Sequence, residues 1–271
     1  MKQFVKVVGT GCSFSDYTGN PKNTFNQQVA LHYGIDYLDL TAGAGSNDRW
    51  YRLLLAGIRE GVITKDDLIV IQYTNLMRRE YVTDLRDPKE SASDYHPWKN
   101  PTGYKRTLKP IKEKWSTEWY TFKWNPTASA WADTPELKKW CDLMAVHFTS
   151  RSYAIELWRN QHFALQHILK DYAVVYLHTG YIQSEVKIDD FIKSTNTNAA
   201  IIEFPTNSEN GGGNIFDQNG WCLNPPYDCA HINQAGHDAV AEAIIQLTEM
   251  SDFKEKTSPD RLVIQKKDRI L

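Results

Sequence analysis

Long apolar runs are missing from this sequence. None approaches the roughly 18–20 residues that a membrane helix needs, so no membrane span is expected. Cysteine is scarce: Cys12, Cys141, Cys222 and Cys229 are scattered and form no Cys-x-x-Cys pair. No disulfide framework is expected, and the cytoplasm is the expected compartment. The opening Met1-Lys2-Gln3-Phe4 enters a strand-like run directly and has no signal-peptide pattern. An excess of either charge is also lacking, with 31 basic against 33 acidic residues and a formal charge of −2. That balance argues against a nucleic-acid partner, which calls for a basic excess or stripe. The spacing of Cys222, Cys229 and His231 matches no common zinc module, so no metal is expected. Gly9-Thr10-Gly11 lacks the third glycine of a dinucleotide fingerprint, since Phe14 holds its place, and no helix follows at once.

What is present reads as alternating strands and helices in 271 residues, a length that suits one large α/β domain. Phe4 to Val8 is a short β-branched run closed by Gly9. A helix is expected from Thr24 to Tyr33, stopped by Gly34, then a strand at Asp36–Leu40. After the turn Gly43-Ala44-Gly45-Ser46, Ser46 or Asn47 is placed to cap a helix that ends at Gly61. Asp67–Tyr73 is the most apolar strand. This order is the signature of a parallel sheet with crossover helices. A long helical region from 135 to 171, strands at Ala173–Leu177 and Ala199–Phe204, a helix at Ile188–Ser194 and a final helix at Gln234–Met250 extend it. The domain is expected over 1–250, followed by a charged tail, 251–271, that forms a surface arm or lacks order.

In a parallel sheet the carboxyl ends of all strands share one edge, so loops distant in sequence converge there. Those loops bring Gly11-Cys12-Ser13, Gly43 to Asn47 and Thr74-Asn75, and the entry to the last helix brings Asp228-Cys229-Ala230-His231. A hydroxyl, small residues with free N–H groups, an amide and an Asp/His pair are the parts of acyl transfer. Ser13 is the candidate nucleophile, His231 its base and Asp228 the group that orients the imidazole. The N–H groups of Ser13 and Gly45 and the amide of Asn75 are the oxyanion donors.

These residues resemble the SGNH (GDSL-like) hydrolases, which carry Gly-Asp-Ser after strand one, a glycine after strand two, Gly-x-Asn-Asp after strand three and Asp-x-x-His before the last helix. Here the positions read Gly11-Cys12-Ser13, Gly43 or Gly45, Tyr73-Thr74-Asn75-Leu76 and Asp228-Cys229-Ala230-His231. The resemblance covers roughly 2–77 and 172–250. It implies a three-layer α/β/α sandwich with a parallel, flavodoxin-like sheet and cofactor-free hydrolysis of esters, commonly of acylated sugars or lipids. Cys12, Tyr73 and Leu76 depart from the pattern without removing a catalytic group. Cys12, beside Ser13 in an extended segment, should point away from it and be inert. The alternative is an inactive protein that keeps the fold for binding.

Residues 78–134 interrupt the order with an aromatic-rich insertion directly after the third strand. A stretch this long is expected to be a lid or a small subdomain. Trp115 and Trp119 either line a substrate groove for an ester-bearing glycan or small molecule, or form the subdomain's core. Among the other histidines, His178 ends the fourth strand and shares the site's edge. His162 and His167 read as ordinary helix positions, and His237 as part of a helix surface.

Overall fold

A strand that is apolar at every position folds only where both faces of its sheet are covered. Leu68 to Ile71 is such a run, in a strand buried throughout, Leu68 to Gln72. It lies inside the sheet of the computed structural model, which describes residues 4–16, 22–41, 45–82, 119–122, 135–147, 150–179, 186–204, 218–224, 228–253 and 257–264. The strands are β1 (Lys6–Gly9), β2 (Asp36–Asp39), β3 (Leu68–Gln72), β4 (Arg79–Val82), β5 (Trp119–Phe122), β6 (Ala173–His178), β7 (Ala200–Glu203), β8 (Cys222–Asn224), β9 (Asp228–Ile232) and β10 (Asp260–Val263). The helices are α1 (Phe25–Tyr33), α2 (Asn47–Arg59), α3 (Pro135–His147), α4 (Arg151–Ile168), α5 (Ile188–Ser194) and α6 (Gln234–Met250).

Six strands form one sheet in the order β10-β7-β6-β3-β1-β2, and every neighbouring pair is parallel. Successive strand residues face opposite sides, and this period of two divides the core. Val7, Val70 and Val175 pack with Phe25 of α1 and with Val240 and Ile244 of α6. Val8, Ile69 and Val174 pack on the other face with Leu53 of α2, Leu165 of α4 and Phe191 of α5. The result is an α/β/α sandwich around a parallel sheet, as the alternation of elements implies.

Local chemistry sets the boundaries. The Thr24 hydroxyl caps α1 by accepting from Gln27 N, and Gly34 ends it with φ at +66°, a left-handed conformation that suits glycine. The long helical region expected from 135 to 171 holds two helices: Ser150 is extended and its hydroxyl accepts from Tyr153 N, starting α4 afresh. The stretch read as a charged tail from Ser251 contributes β10, whose residues alternate between half-buried and exposed as at a sheet edge. An Arg261–Glu203 ion pair joins it to β7.

Within the insertion β4 and β5 form an antiparallel pair, with Arg79 opposite Phe122 and Val82 opposite Trp119, and 123–134 lie outside the described residues. The chain between Val82 and Trp119 lies outside the described residues. Arg79 is tied to Asp48 of α2 at 3.0 Å. Cys12, Cys141 and Cys222 are buried and form no disulfide among the described residues. Among the described residues no helix is long and apolar enough to cross a membrane.

Candidate active site

The strand order reverses at β1: the chain passes to β2 on one side and then, by way of α2, to β3 on the other. Such a switch point opens a crevice beyond the carboxyl ends of the two central strands, here β1 and β3, where open α/β sheets bind ligands. The polar residues singled out from the sequence surround this edge.

The exit of β1 is shaped by Gln72, the last residue of β3. Its Oε1 accepts from Cys12 N and from the Ser15 hydroxyl, both at 3.1 Å. Its Nε2 donates to Tyr73 O. Gly11 sits against this carboxamide with φ at +133°, and a Cβ there would lie 2.4 Å from Gln72 Oε1. Only glycine fits that backbone without displacing the glutamine. Ser15 N and Asp16 N then bond Cys12 O at 2.9 and 3.2 Å, folding the segment into a turn with Ser13 at its second position. Phe14 turns into the core beside Phe25, and Cys12 is fully buried. Ser13 remains 7% exposed.

The first turn of α2 spans the neighbouring strand ends. Ser46 is its cap, with its hydroxyl accepting from Arg49 N at 3.1 Å, and Gly45 is buried immediately before it. Gly43 lies outside the described residues. Asn47 bonds both backbone groups of Thr74, while Arg49 reaches Leu40 O beyond β2. Beyond Thr74, Asn75 is exposed, and its Oδ1 accepts from Met77 N at 2.9 Å. This turn occupies the amide's oxygen and leaves its Nδ2 donor available. Tyr73 and Leu76 are both buried in the core on the α2 side.

The start of α6 docks on the start of α1. Gln234 Oε1 accepts from Lys22 N at 2.6 Å, and His237 Nδ1 accepts from Phe25 N at 3.2 Å. His231, half-buried, lies three residues ahead of Gln234 at the end of β9. Asp228 opens that strand rather than a loop, opposite Asn224. No hydrogen bond joins Ser13 to His231 among the described residues. Trp119 opens β5, and Trp115 lies outside the described residues.

Three further histidines, His162, His178 and His237, are buried. His178 faces Val186 O at 3.1 Å, and burial lowers its pKa. His162 lies in an aromatic cluster, where Nδ1 shares a hydrogen bond with the Tyr73 hydroxyl at 2.6 Å and Nε2 faces the Thr195 hydroxyl at 3.2 Å. Burial pushes its pKa down to about 4. His237 is fully enclosed instead of lining a helix surface, and burial takes its pKa to about 3. Both imidazoles are therefore neutral at physiological pH.

Sequence reasoning missed Gln72, Asn47 and Arg49 as site residues. The available signal was polarity out of place: a glutamine closing a strand of Leu, Ile and Val, and two polar residues on the buried side of a helix start. Among the described residues no three His, Cys, Asp or Glu side chains gather to hold a metal. Fold and site together define a parallel α/β sandwich with polar residues at the strand ends beside its switch point. No family model, curated protein or solved structure matches the chain.

Proposed function

We propose that the chain is an SGNH-type serine hydrolase cleaving an ester, an esterase or deacetylase for an acylated carbohydrate or lipid. The supporting observation is the turn after β1 that carries Ser13, held by Gln72 at the exit of β3. In this reading the Ser13 hydroxyl attacks the acyl carbonyl while His231 takes its proton, and Asp228 orients the imidazole. The N–H groups of Ser13 and Gly45 and the Asn75 amide receive the oxyanion. His231 returns the proton to the departing alcohol, then activates water to release the acyl group. The scheme uses no cofactor.

A second reading is an inactive protein that keeps this fold for binding. Its motivation is the set of departures from the family pattern at Cys12, Tyr73 and Leu76. Labelling with a fluorophosphonate and mapping the modified peptide separates the two. Modification of Ser13, abolished by Ser13→Ala and by His231→Ala, is the expected result. An unlabelled Ser13 in folded protein sinks the hydrolase.

A further inference from the structure

The first turn of α2 carries a cation that forms no ion pair among the described residues; the buried carboxylate one residue before Leu40, Asp39, accepts from the Thr41 N–H and hydroxyl. Arg49 is 3% exposed. Its guanidinium donates from Nη1 to Leu40 O at 2.9 Å and forms no ion pair among the described residues. The adjacent acid, Asp48, is already engaged by Arg79 at 3.0 Å and by Gln161 at 2.5 Å. The loop between Leu40 and α2 reads Thr41-Ala42-Gly43-Ala44-Gly45-Ser46 and contains no acidic residue. Burying an uncompensated charge costs several kcal/mol. Holding one carbonyl oxygen does not require that charge, since a neutral amide would do the same.

The position of the guanidinium explains what the charge serves. Leu40 N bonds Gly9 O, the end of β1, at 2.8 Å. Arg49 is therefore anchored at the carboxyl edge next to the strand that leads to Ser13. The same helical turn grips the exit of β3 through Asn47. Four of the five guanidinium N–H groups remain for another acceptor, in a fork that matches a planar or tetrahedral oxyanion. The amino end of α2 adds positive potential on the same side.

We propose that Arg49 is an anion-recognition residue, and that the ester cleaved at the Ser13 site carries a carboxylate, phosphate or sulfate group that it binds. The word ester rests on the hydrolase reading; the anion site rests on Arg49 itself. Binding orients the substrate by its charge and leaves the acyl carbonyl over Ser13.

The test is thermal unfolding of the full chain titrated with inorganic phosphate and, separately, with succinate, against sodium chloride at equal ionic strength. A saturable rise in Tm with at least one of the two is expected for the wild type. The midpoint concentration should be at least tenfold higher in Arg49→Gln, whose amide retains a donor for Leu40 O. Phosphate alone acting identifies a phosphate- or sulfate-bearing substrate, and succinate alone a carboxylate. No rise beyond that with chloride, or an equal rise in Arg49→Gln, overturns the proposal. Should that variant fail to fold, protection of wild-type Ser13 from fluorophosphonate by the bound anion replaces it, and unprotected labelling overturns the placement. A chain unlabelled at Ser13 that still binds phosphate through Arg49 loses the hydrolase reading and keeps the anion site.

Discussion

Asn47 closes a ring with the backbone of Thr74: its Nδ2 donates to Thr74 O at 3.1 Å, and its Oδ1 accepts from Thr74 N at 2.8 Å. The same oxygen accepts from Trp50 Nε1 at 3.1 Å. One carboxamide thus replaces the strand partner that Thr74 would have had if β3 continued, and ties that strand's exit to α2.

Asn47→Ala should destabilise the fold by about 2–4 kcal/mol, because three buried groups lose their partner and each unsatisfied group costs about 1–3 kcal/mol with partial relief by relaxation. Urea unfolding measures this. A loss under about 0.5 kcal/mol would show that the exit of β3 is held by other contacts.

Gln72→Leu keeps the side chain's bulk and removes the acceptor for Cys12 N and the Ser15 hydroxyl. A stability loss of roughly 2–4 kcal/mol is expected from two buried donors left unpaired. Fluorophosphonate labelling of Ser13 should fall at temperatures where the variant is still folded, since the turn presenting the serine loosens. Unchanged labelling kinetics would separate Gln72 from the presentation of Ser13.

Asn75→Ala removes a proposed oxyanion donor. Turnover of p-nitrophenyl acetate should drop about 100- to 1000-fold, the usual effect of losing one such donor, with little change in KM. Wild-type turnover would place the oxyanion hole elsewhere.

Stability should fall as the pH drops below about 6.5. His162 and His237 have folded pKa values of about 4 and about 3, against 6.5 for an ordinary histidine. Between those values the unfolded chain binds protons that the folded chain does not, so acid favours unfolding. Each histidine contributes up to about 1.4 kcal/mol per pH unit, and the pair should remove about 2 kcal/mol between pH 6 and 5. The loss attributable to each ends near its folded pKa. Urea melts across this range measure the slope, and His237→Gln should reduce it by about half. An unchanged slope in that variant would mean His237 is protonated in the fold.

Trp115→Ala combined with Trp119→Ala tests the proposed substrate face of the insertion. Weaker binding of an acylated glycan, with hydrolysis of p-nitrophenyl acetate preserved, is the expected outcome. Parallel loss of both activities and of several degrees of Tm would identify the tryptophans as packing residues, since truncating a buried Trp costs about 3–5 kcal/mol.

The parallel sheet was legible because its strands are apolar on both faces and its helices repeat their own period. Residues 68–72 read as a buried strand, and Gly34 as a helix stop, from local chemistry alone. The break at Ser150 was harder to see, since an apolar pattern on either side continues through it and only a cap interrupts the helix. β10 was missed because an edge strand needs to be apolar on one face at most, so Asp260-Arg261-Leu262-Val263 reads as a tail.

Order along the chain was enough to name Ser13, Asn75 and His231 as candidates, because parallel topology sends all strand exits to one edge. Pairwise geometry was not written there. Gln72 reaches Cys12 across 60 positions and Asn47 reaches Thr74 across 27, and a polar residue carries no local signal of which distant backbone group it will meet. Tyr73 looked like a change to the site, yet its hydroxyl lies under α4 on His162. The alternation of a strand decides which side a residue faces, and only the packed sandwich decides what waits for it there. The sequence therefore determined the layers and the edge where the polar residues gather. Tertiary structure decided which of them brace the strand exits, and that Arg49 is buried there with no ion pair among the described residues.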